Sequence, residues 1–551
     1  MSGDRNQPME SPQHRVATAL VLGGGLAGMA AAIRLQEAGL HVTLLEARAT
    51  LGGRAGSIPI NATEEAHVAA PRGATVDRDD PTSGGGTTAD YAAPELIDQA
   101  QHVLLGCCTN LIDFYQRLGV DGQIEWHDHY RIVDRQGNFL RLSRSRLLPA
   151  PLHFAFSSIF FSGIPLQDRL AIARGVLQLI RTDQCARPFG LIEQPDASTA
   201  AWSADASRES FGQWLARHEQ SATTVRLFWN PVIESACNAT VDQVRADTGR
   251  QVFLEGVLRH RAAACLGLSR CALAELYEPL RQHVASVHTG ERVTQVEQIA
   301  ASGADDGPRF LVATRAGRSY AADAVVFALP FVQIHQTLGP GLQRVADELL
   351  HVPATFSFSP ILNLHLFFDH PLVRSRTAIY PIALMDRPVH WFFLRNEGRH
   401  VHVVVSAADS LVDAPRDLLE HLAIRELARA LRRCPHRTAD RVHGFTGADL
   451  GPGADESNLA RSLRSLRVIR ERRATFVPST QAETVRPGPR TAVPGFVLAG
   501  DWCRTGWPAT MEGAVRGGYA AAEAVLDLPA GSLTKPCLPP GPLYRLLSGE
   551  G

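Results

Sequence analysis

The first ordered stretch of the chain reads as strand, helix and strand. Residues 16–22 form a short apolar run, the pattern of a buried strand. Over residues 26–38, Ala, Met, Ile and Leu recur at helical spacing until Gly39 ends the pattern. Residues 41–45 form a second apolar run, closed by Glu46. Together they predict a βαβ unit of about thirty residues.

Further along, the pattern changes several times. Residues 61–96 hold Gly, Ser, Thr, Asp and Pro with few large apolar residues, which predicts a flexible insertion. Ile112, Tyr115 and Leu118 then mark a helical face that closes at Gly119. Residues 147–166 carry no charge and four phenylalanines. Their length would span a bilayer, but Pro149, Pro151, Gly163 and Pro165 argue against one continuous helix. This leaves a surface that touches membrane, a core element or a substrate channel. An amphipathic helix follows, with Leu166, Leu170, Leu177 and Ile180 on one face and Asp168, Arg169, Arg174 and Gln178 elsewhere. Strands are expected at 322–330, 361–368, 401–406 and 495–499, and a helix at 418–432. Residues 529–551 are rich in Pro and Gly and predict a loose tail, and no solenoid repeat is present.

Composition narrows the function classes. The 551 residues, 45% hydrophobic and 20% charged, have an ordinary globular profile. A net charge of −1 gives no global basic field, so no nucleic-acid partner is expected. Lys535 is the only lysine, so the body of the chain offers no Schiff-base former or P-loop cation. Nine scattered cysteines without a Cys-x-x-Cys pair suit a reducing compartment. The polar first fifteen residues are expected to be disordered and lack a signal-peptide pattern. The expected location is therefore cytoplasmic, with a peripheral position at the inner face of the membrane as the variant.

Gly23-x-Gly25-x-x-Gly28 joins the first strand to the helix and is the dinucleotide fingerprint. Gly23 makes the turn, Gly25 lets a pyrophosphate approach the backbone, and Gly28 lets helix and sheet pack closely. Leu26 and Ala27 open the helix, whose N-terminal amides would face the phosphates. Glu46, at the end of the second strand, is the candidate for the ribose hydroxyls.

Two further motifs select the flavin cofactor. Glu46 through Leu51-Gly52-Gly53-Arg54 resembles a signature of the amine-oxidase and phytoene-desaturase superfamily of flavoproteins. Leu498-Ala499-Gly500-Asp501, followed by Gly506-Trp507-Pro508-Ala509-Thr510-Met511-Glu512-Gly513-Ala514, resembles that superfamily's C-terminal FAD motif. The resemblance implies FAD, with Gly53 and Arg54 along the diphosphate and Gly500 and Asp501 at the ribityl-phosphate region. It also sets Thr510 and Met511 at a helix start whose positive end meets the flavin pyrimidine edge. Val293, in the returning part of the cofactor domain, completes the cofactor set.

The order of blocks is similar to that of the squalene-associated FAD-dependent desaturases, the hydroxysqualene dehydroxylases. Gln101-His102, Leu148-Pro149-Ala150-Pro151-Leu152, Ser359-Pro360-Ile361 through Phe368, Arg472-Arg473-Ala474-Thr475-Phe476 and residues 500–514 carry this likeness. The residues depart from the family pattern in the 61–96 insertion, at Ala100 and at Cys503. The implied fold is α/β: a discontinuous Rossmann-like FAD-binding domain with an inserted mixed α+β substrate domain. The cofactor domain takes 16–60, 281–335 and 491–528; the substrate domain takes most of 97–280 and 336–490. The implied reaction is FAD-dependent reductive dehydroxylation of hydroxysqualene to squalene, a step of hopanoid or triterpene synthesis. Its substrate is a hydrophobic isoprenoid, and an electron donor is needed to reduce the flavin. Gln101, His102 and Trp507 are the substrate-pocket candidates, and His102 is the candidate acid.

Other readings stay open. A carotenoid desaturase or isomerase would need the same cofactor and a similar apolar pocket. An amine oxidase is disfavoured, because those enzymes use a lysine-held water and often an aromatic where Thr510 stands. His127-Asp128-His129 is read as a polar strand or turn, so no metal is expected. Arg141, Arg144 and Arg146 suit a solvated face or an anion contact, and His365 and His370 are read as sheet-end histidines.

Overall fold

The computed structural model describes residues 16–60, 74–76, 96–145, 147–155, 163–183, 209–299, 309–373, 377–432 and 455–549. The first fifteen residues, expected to be disordered, most of the 61–96 insertion and the phenylalanines from 156 to 162 fall outside these residues. Within the insertion, Ala74–Val76 forms a strand that pairs antiparallel with Leu463–Phe476.

A five-stranded parallel sheet carries the cofactor domain. Its order is Ser286–Thr289, His41–Glu46, Thr18–Leu22, Ala324–Phe327 and Phe496–Leu498. Strands from three distant parts of the chain thus lie side by side. The inner strands are mostly apolar because both faces of a parallel sheet are covered there; Val21, Val42, Val325 and Val326 are completely buried. Leu26–Glu37 crosses from the first strand to the second as the sequence pattern predicts. Gly28 sits where a Cβ would lie 1.9 Å from the Gly23 carbonyl oxygen, so any side chain there would force helix and turn apart.

The helix Met511–Val525 packs on Leu26–Glu37. Small residues allow the approach: a Cβ on Gly518 would come within 2.2 Å of the Ala27 carbonyl oxygen. The core around these helices also holds Leu111, Phe114 and Tyr115 from Thr109–Arg117.

The substrate domain is built on an eight-stranded sheet. Its central strands are Leu463–Phe476, Phe358–Phe368, His400–Val405, Trp391–Arg395 and Ile379–Leu384, in that order. Leu362, Leu364, Leu366, Val401 and Val403 turn toward Arg416–Arg432 and make one closed core. The opposite face looks toward the cofactor domain. A separate aromatic core, with Phe211, Trp214, Trp229 and Phe253, holds the helices between residues 209 and 258.

Three expectations are corrected. The C-terminal tail is not loose between 529 and 549. The buried Glu523 carboxylate accepts the amides of Gly531, Leu533 and Thr534, and the fully buried Tyr544 anchors the helix Pro542–Ser548 against Asp183. The helix Leu166–Thr182 docks by a different face from the one its leucines suggest. Asp168 is buried and accepts a hydrogen bond from the Ser221 hydroxyl at 2.7 Å. Gly175 admits Trp229 and Gln220, and Leu179 and Ile180 complete the contact. Leu166 and Leu170 are left in solvent, 69% and 53% exposed. His365, finally, lies in mid-strand with no exposure and not at a sheet end.

Candidate cofactor and substrate site

The fingerprint turn and the Gly52-Gly53 turn face each other. Gly25 and Gly52 form a parallel bridge, and Gly53 has a φ of +60°, a conformation that favours glycine. A Cβ on Gly25 would meet only the Gly53 Cα, at 3.9 Å. This narrow glycine-walled cradle lies over the start of Leu26–Glu37. Among the described residues no side chain caps that start, and its first turn has no acidic residue. Uncapped amides at a positive helix end beside an open backbone cradle suit a diphosphate.

Glu46 is 7% exposed. One carboxylate oxygen accepts the Gly24 amide and the other accepts the Arg48 amide, both at 2.7 Å. Each oxygen keeps a further lone pair, so ribose hydroxyls can still donate to it. The Glu46 carbonyl also accepts the Glu291 amide. This brings Val293, at the start of Val293–Gln298, to the same end of the sheet.

Arg54 reaches across the domain and donates to Asp501 at 2.5 Å and to the Ala474 carbonyl at 2.9 Å. The ion pair with Asp501 raises the guanidinium's proton affinity. Arg486, missed in the sequence, braces the loop that carries Asp501. It is fully buried and donates to the carbonyls of Asp501 and Cys503 and to the Thr505 hydroxyl. Its only local signal is Glu483, three residues earlier, which pairs with it.

Thr510 caps Met511–Val525 by accepting the Gly513 amide at 3.1 Å. Met511 is half-buried beside the main core. Glu512 points backward and caps a second helix, accepting the amides of Asn110 and Leu111. Burial pushes its carboxyl up, against the pull of Arg516. Trp507 packs with Cys107 and Ala263, with Leu105 alongside. Its indole N–H is buried without a hydrogen-bond partner among the described residues.

The Gln101–His102 block lies under the inner face of the eight-stranded sheet. Arg395 donates to Gln101 at 3.2 Å and lies 3.7 Å from Asp98. His102 Nδ1 is 2.8 Å from the Ala100 carbonyl oxygen. A carbonyl only accepts, so Nδ1 carries a proton. Burial lowers the His102 pKa, and the Ala100 contact only partly offsets this. The block therefore meets Arg395, while Trp507 belongs to a neighbouring cluster; Leu105 packs on that cluster and on the one with Leu266 and Phe393. Apolar residues dominate the inner face: Leu266, Leu268, Ile379, Phe393 and Val404 on one side, Ile58, Ile97, Phe367 and Ile469 on the other.

The weaker candidates settle into ordinary roles. His129 Nδ1 lies 3.0 Å from Asp128, and the His127 and His129 rings stand 6.5 Å apart. Among the described residues no group of three or more His, Cys, Asp or Glu could hold a metal ion. Arg144 donates to the Arg261 carbonyl, Arg141 is half-buried, and Arg146 lies outside the described residues. No helix among the described residues is long and apolar enough to cross a membrane.

The model of the family described as flavin containing amine oxidoreductase matches residues 26–526. Hydroxysqualene dehydroxylase from Sinorhizobium fredii is 29% identical over 205 residues, 37% of this chain and 39% of that protein. The alignment thus spans well under half the length of that relative. A 15-cis-phytoene desaturase from an Oncidium hybrid cultivar is 24% identical over 92% of this chain and 77% of its own length. Among solved structures, a double mutant of putrescine oxidase superposes with a TM-score of 0.61 at 13% identity, covering 93% of this chain and 99% of its own. That likeness speaks for the fold. The glycine cradle, the open helix start and Glu46 fit FAD, which Arg54, Asp501, Thr510 and Met511 would hold farther along. The chain is an FAD-dependent oxidoreductase and belongs to the flavin-containing amine oxidoreductase family.

Proposed function

We propose that the chain removes the hydroxyl group of hydroxysqualene reductively, giving squalene and water, in hopanoid or triterpene synthesis. The observation that carries this reading is the inner face of the eight-stranded sheet, where two apolar clusters flank the Gln101–His102 block. Such a face suits a hydrocarbon chain bearing one polar group. The partial likeness to hydroxysqualene dehydroxylase supports the choice of polyene.

When bound and reduced, FAD supplies the hydride. The substrate's C–O bond breaks, a C–H bond forms, and one proton joins the departing hydroxyl to make water. An allylic cation formed on the way needs a dry, apolar surrounding, which Ile361, Phe393 and Val404 provide. The proton comes from His102. Its Nδ1–H is committed to Ala100, so Nε2 must carry the transferable proton. Because burial lowers its pKa, the acid form grows only below the ordinary histidine range. Turnover should rise toward acidic pH, and His102→Ala should lose that rise. Sustained turnover requires an electron donor from outside this chain.

A second reading keeps the polyene and reverses the chemistry. The match to 15-cis-phytoene desaturase over 92% of the chain favours a dehydrogenase of a carotenoid precursor. One pair of anaerobic incubations separates the two. Reduced enzyme with hydroxysqualene should reoxidise and yield squalene, while oxidised enzyme with phytoene should stay oxidised. The opposite pair of results would favour the desaturase.

The substrate is insoluble in water, so we place its entry at a membrane surface. Leu147, Leu152, Leu166 and Leu170 are 90%, 46%, 69% and 53% exposed and belong to neighbouring segments. Exposed Arg174 and Arg181 on the same helix suit anionic headgroups.

A further inference from the structure

The inner face of the eight-stranded sheet carries a polar strip that the steps above leave unused. Leu362, Leu364 and Leu366 point into the core beneath Arg416–Arg432. Side chains alternate along a strand, so Asn363 and His365 point the other way, toward the cofactor domain. Neither has any exposure. On the neighbouring strand His402 stands opposite His365, and His400 opposite Phe367.

The four polar residues form two pairs. His402 Nε2 lies 3.0 Å from Asn363 Oδ1, and His365 Nδ1 lies 2.9 Å from His400 Nε2. An amide oxygen only accepts, so His402 Nε2–H is the donor in the first pair. Burial holds His402 well below the usual histidine range, with His365, His400 and Arg395 adding to the effect. The ring is therefore neutral, and its N–H fixes which way the Asn363 amide faces. That leaves the Asn363 Nδ2 group buried with no hydrogen-bond partner among the described residues. Buried donors are almost always satisfied in folded proteins, so an isolated one points to something that binds there.

The surroundings say what kind of group. Ile361 packs with Phe393 and Val404 on one side, and Phe367 packs with Ile58 and Ile97 on the other. The adjacent strand Leu463–Phe476 carries Ala474, whose carbonyl accepts from Arg54, the partner of Asp501. On the far side, beyond His400–Val405, the strand Trp391–Arg395 carries Arg395, which donates to Gln101. The strand of Asn363 thus lies between those that meet the cofactor pair and the Gln101–His102 block, and its amide is an unpartnered donor, among the described residues, in a polar strip flanked by two apolar clusters.

We propose that Asn363 Nδ2 donates a hydrogen bond to the hydroxyl oxygen of an otherwise apolar substrate, with His402 as the positioning residue that fixes the amide. This rests on the reading of the substrate as a hydroxylated polyene. The contact distinguishes alcohol from hydrocarbon. Squalene, lacking the oxygen, leaves the donor unpaired and binds less well, which also helps product leave.

Binding to the oxidised, FAD-loaded enzyme tests this without turnover, read from the perturbation of flavin absorbance. The wild type should prefer hydroxysqualene to squalene by about tenfold or more. Asn363→Leu should lose that preference while binding squalene as before. His402→Phe should behave like Asn363→Leu, whereas His402→Gln, which keeps an N–H donor, should restore much of the preference. Asn363→Ala, which also lacks a donor, replaces the leucine variant if that protein loses its flavin. An undiminished preference in the Asn363 variant overturns the proposal while the substrate reading stands. A wild type that binds neither polyene overturns both.

Discussion

Arg54 and Asp501 are separated by 447 residues in the chain and meet as an ion pair at 2.5 Å. The contact closes the cofactor domain, because one residue follows the second strand and the other follows the last. Asp501 is nearly buried, whereas the Arg54 side chain is 42% exposed. Asp501→Asn keeps the shape and removes the charge. A lost charge-assisted hydrogen bond is worth about 1.5–3 kcal/mol, so FAD affinity should fall about tenfold to a hundredfold. Titrating apoprotein with FAD measures this. Unchanged affinity would remove Asp501 from the cofactor site.

Glu46 holds the Gly24 and Arg48 amides, and we assign it the ribose of FAD as well. Glu46→Ala should therefore lower both the stability of the apoprotein and its FAD affinity, whereas Glu46→Gln should spare more of the first. FAD itself should be held without a covalent bond. Cys503, the thiol beside the cofactor loop, is buried, and burial raises its pKa, which disfavours the reactive thiolate. Acid precipitation should leave a yellow supernatant; flavin that stays with digested peptide contradicts this.

Burial holds His127, His129 and His153 at about 4. An unfolded histidine titrates near 6.5. Between these values the unfolded chain binds more protons, so stability rises with pH. The contribution is complete above about pH 6.5 and is lost as pH falls toward 4. Both ring nitrogens of His153 are buried without partners among the described residues. His153→Phe should flatten the fall in Tm between pH 6.5 and 4 without lowering Tm at pH 7. Parallel curves for variant and wild type would contradict this.

Membrane contact through Leu147, Leu152, Leu166 and Leu170 should show as flotation with anionic liposomes at low salt. Replacing Leu166 and Leu170 by serine should abolish flotation and leave Tm within about 1 kcal/mol-equivalent of wild type, because exposed positions contribute little. Wild type that never floats would assign these leucines to another contact.

The parts of this molecule that were legible in its sequence are those written locally. Gly23, Gly25 and Gly28 announce a turn, a cradle and a close helix because each needs the absence of a side chain at a fixed spacing. Glu46 and Arg54 follow within one stretch of chain. What escaped depends on partners far away. The direction of Leu166–Thr182 was decided by Ser221 taking Asp168 inward and by Trp229 filling the space at Gly175. The ordered tail depends on Glu523 and Asp183. The Asn363–His402 pair joins strands whose register no local pattern gives.

The direction of the chemistry is tested most directly by isotope transfer. Enzyme reduced so that its flavin carries deuterium is mixed anaerobically with hydroxysqualene, and the product is analysed by mass spectrometry. Squalene carrying one deuterium at the former carbinol carbon, formed as the flavin reoxidises, is the expected result. Squalene without deuterium, or a flavin that stays reduced beside unchanged hydroxysqualene, would contradict it.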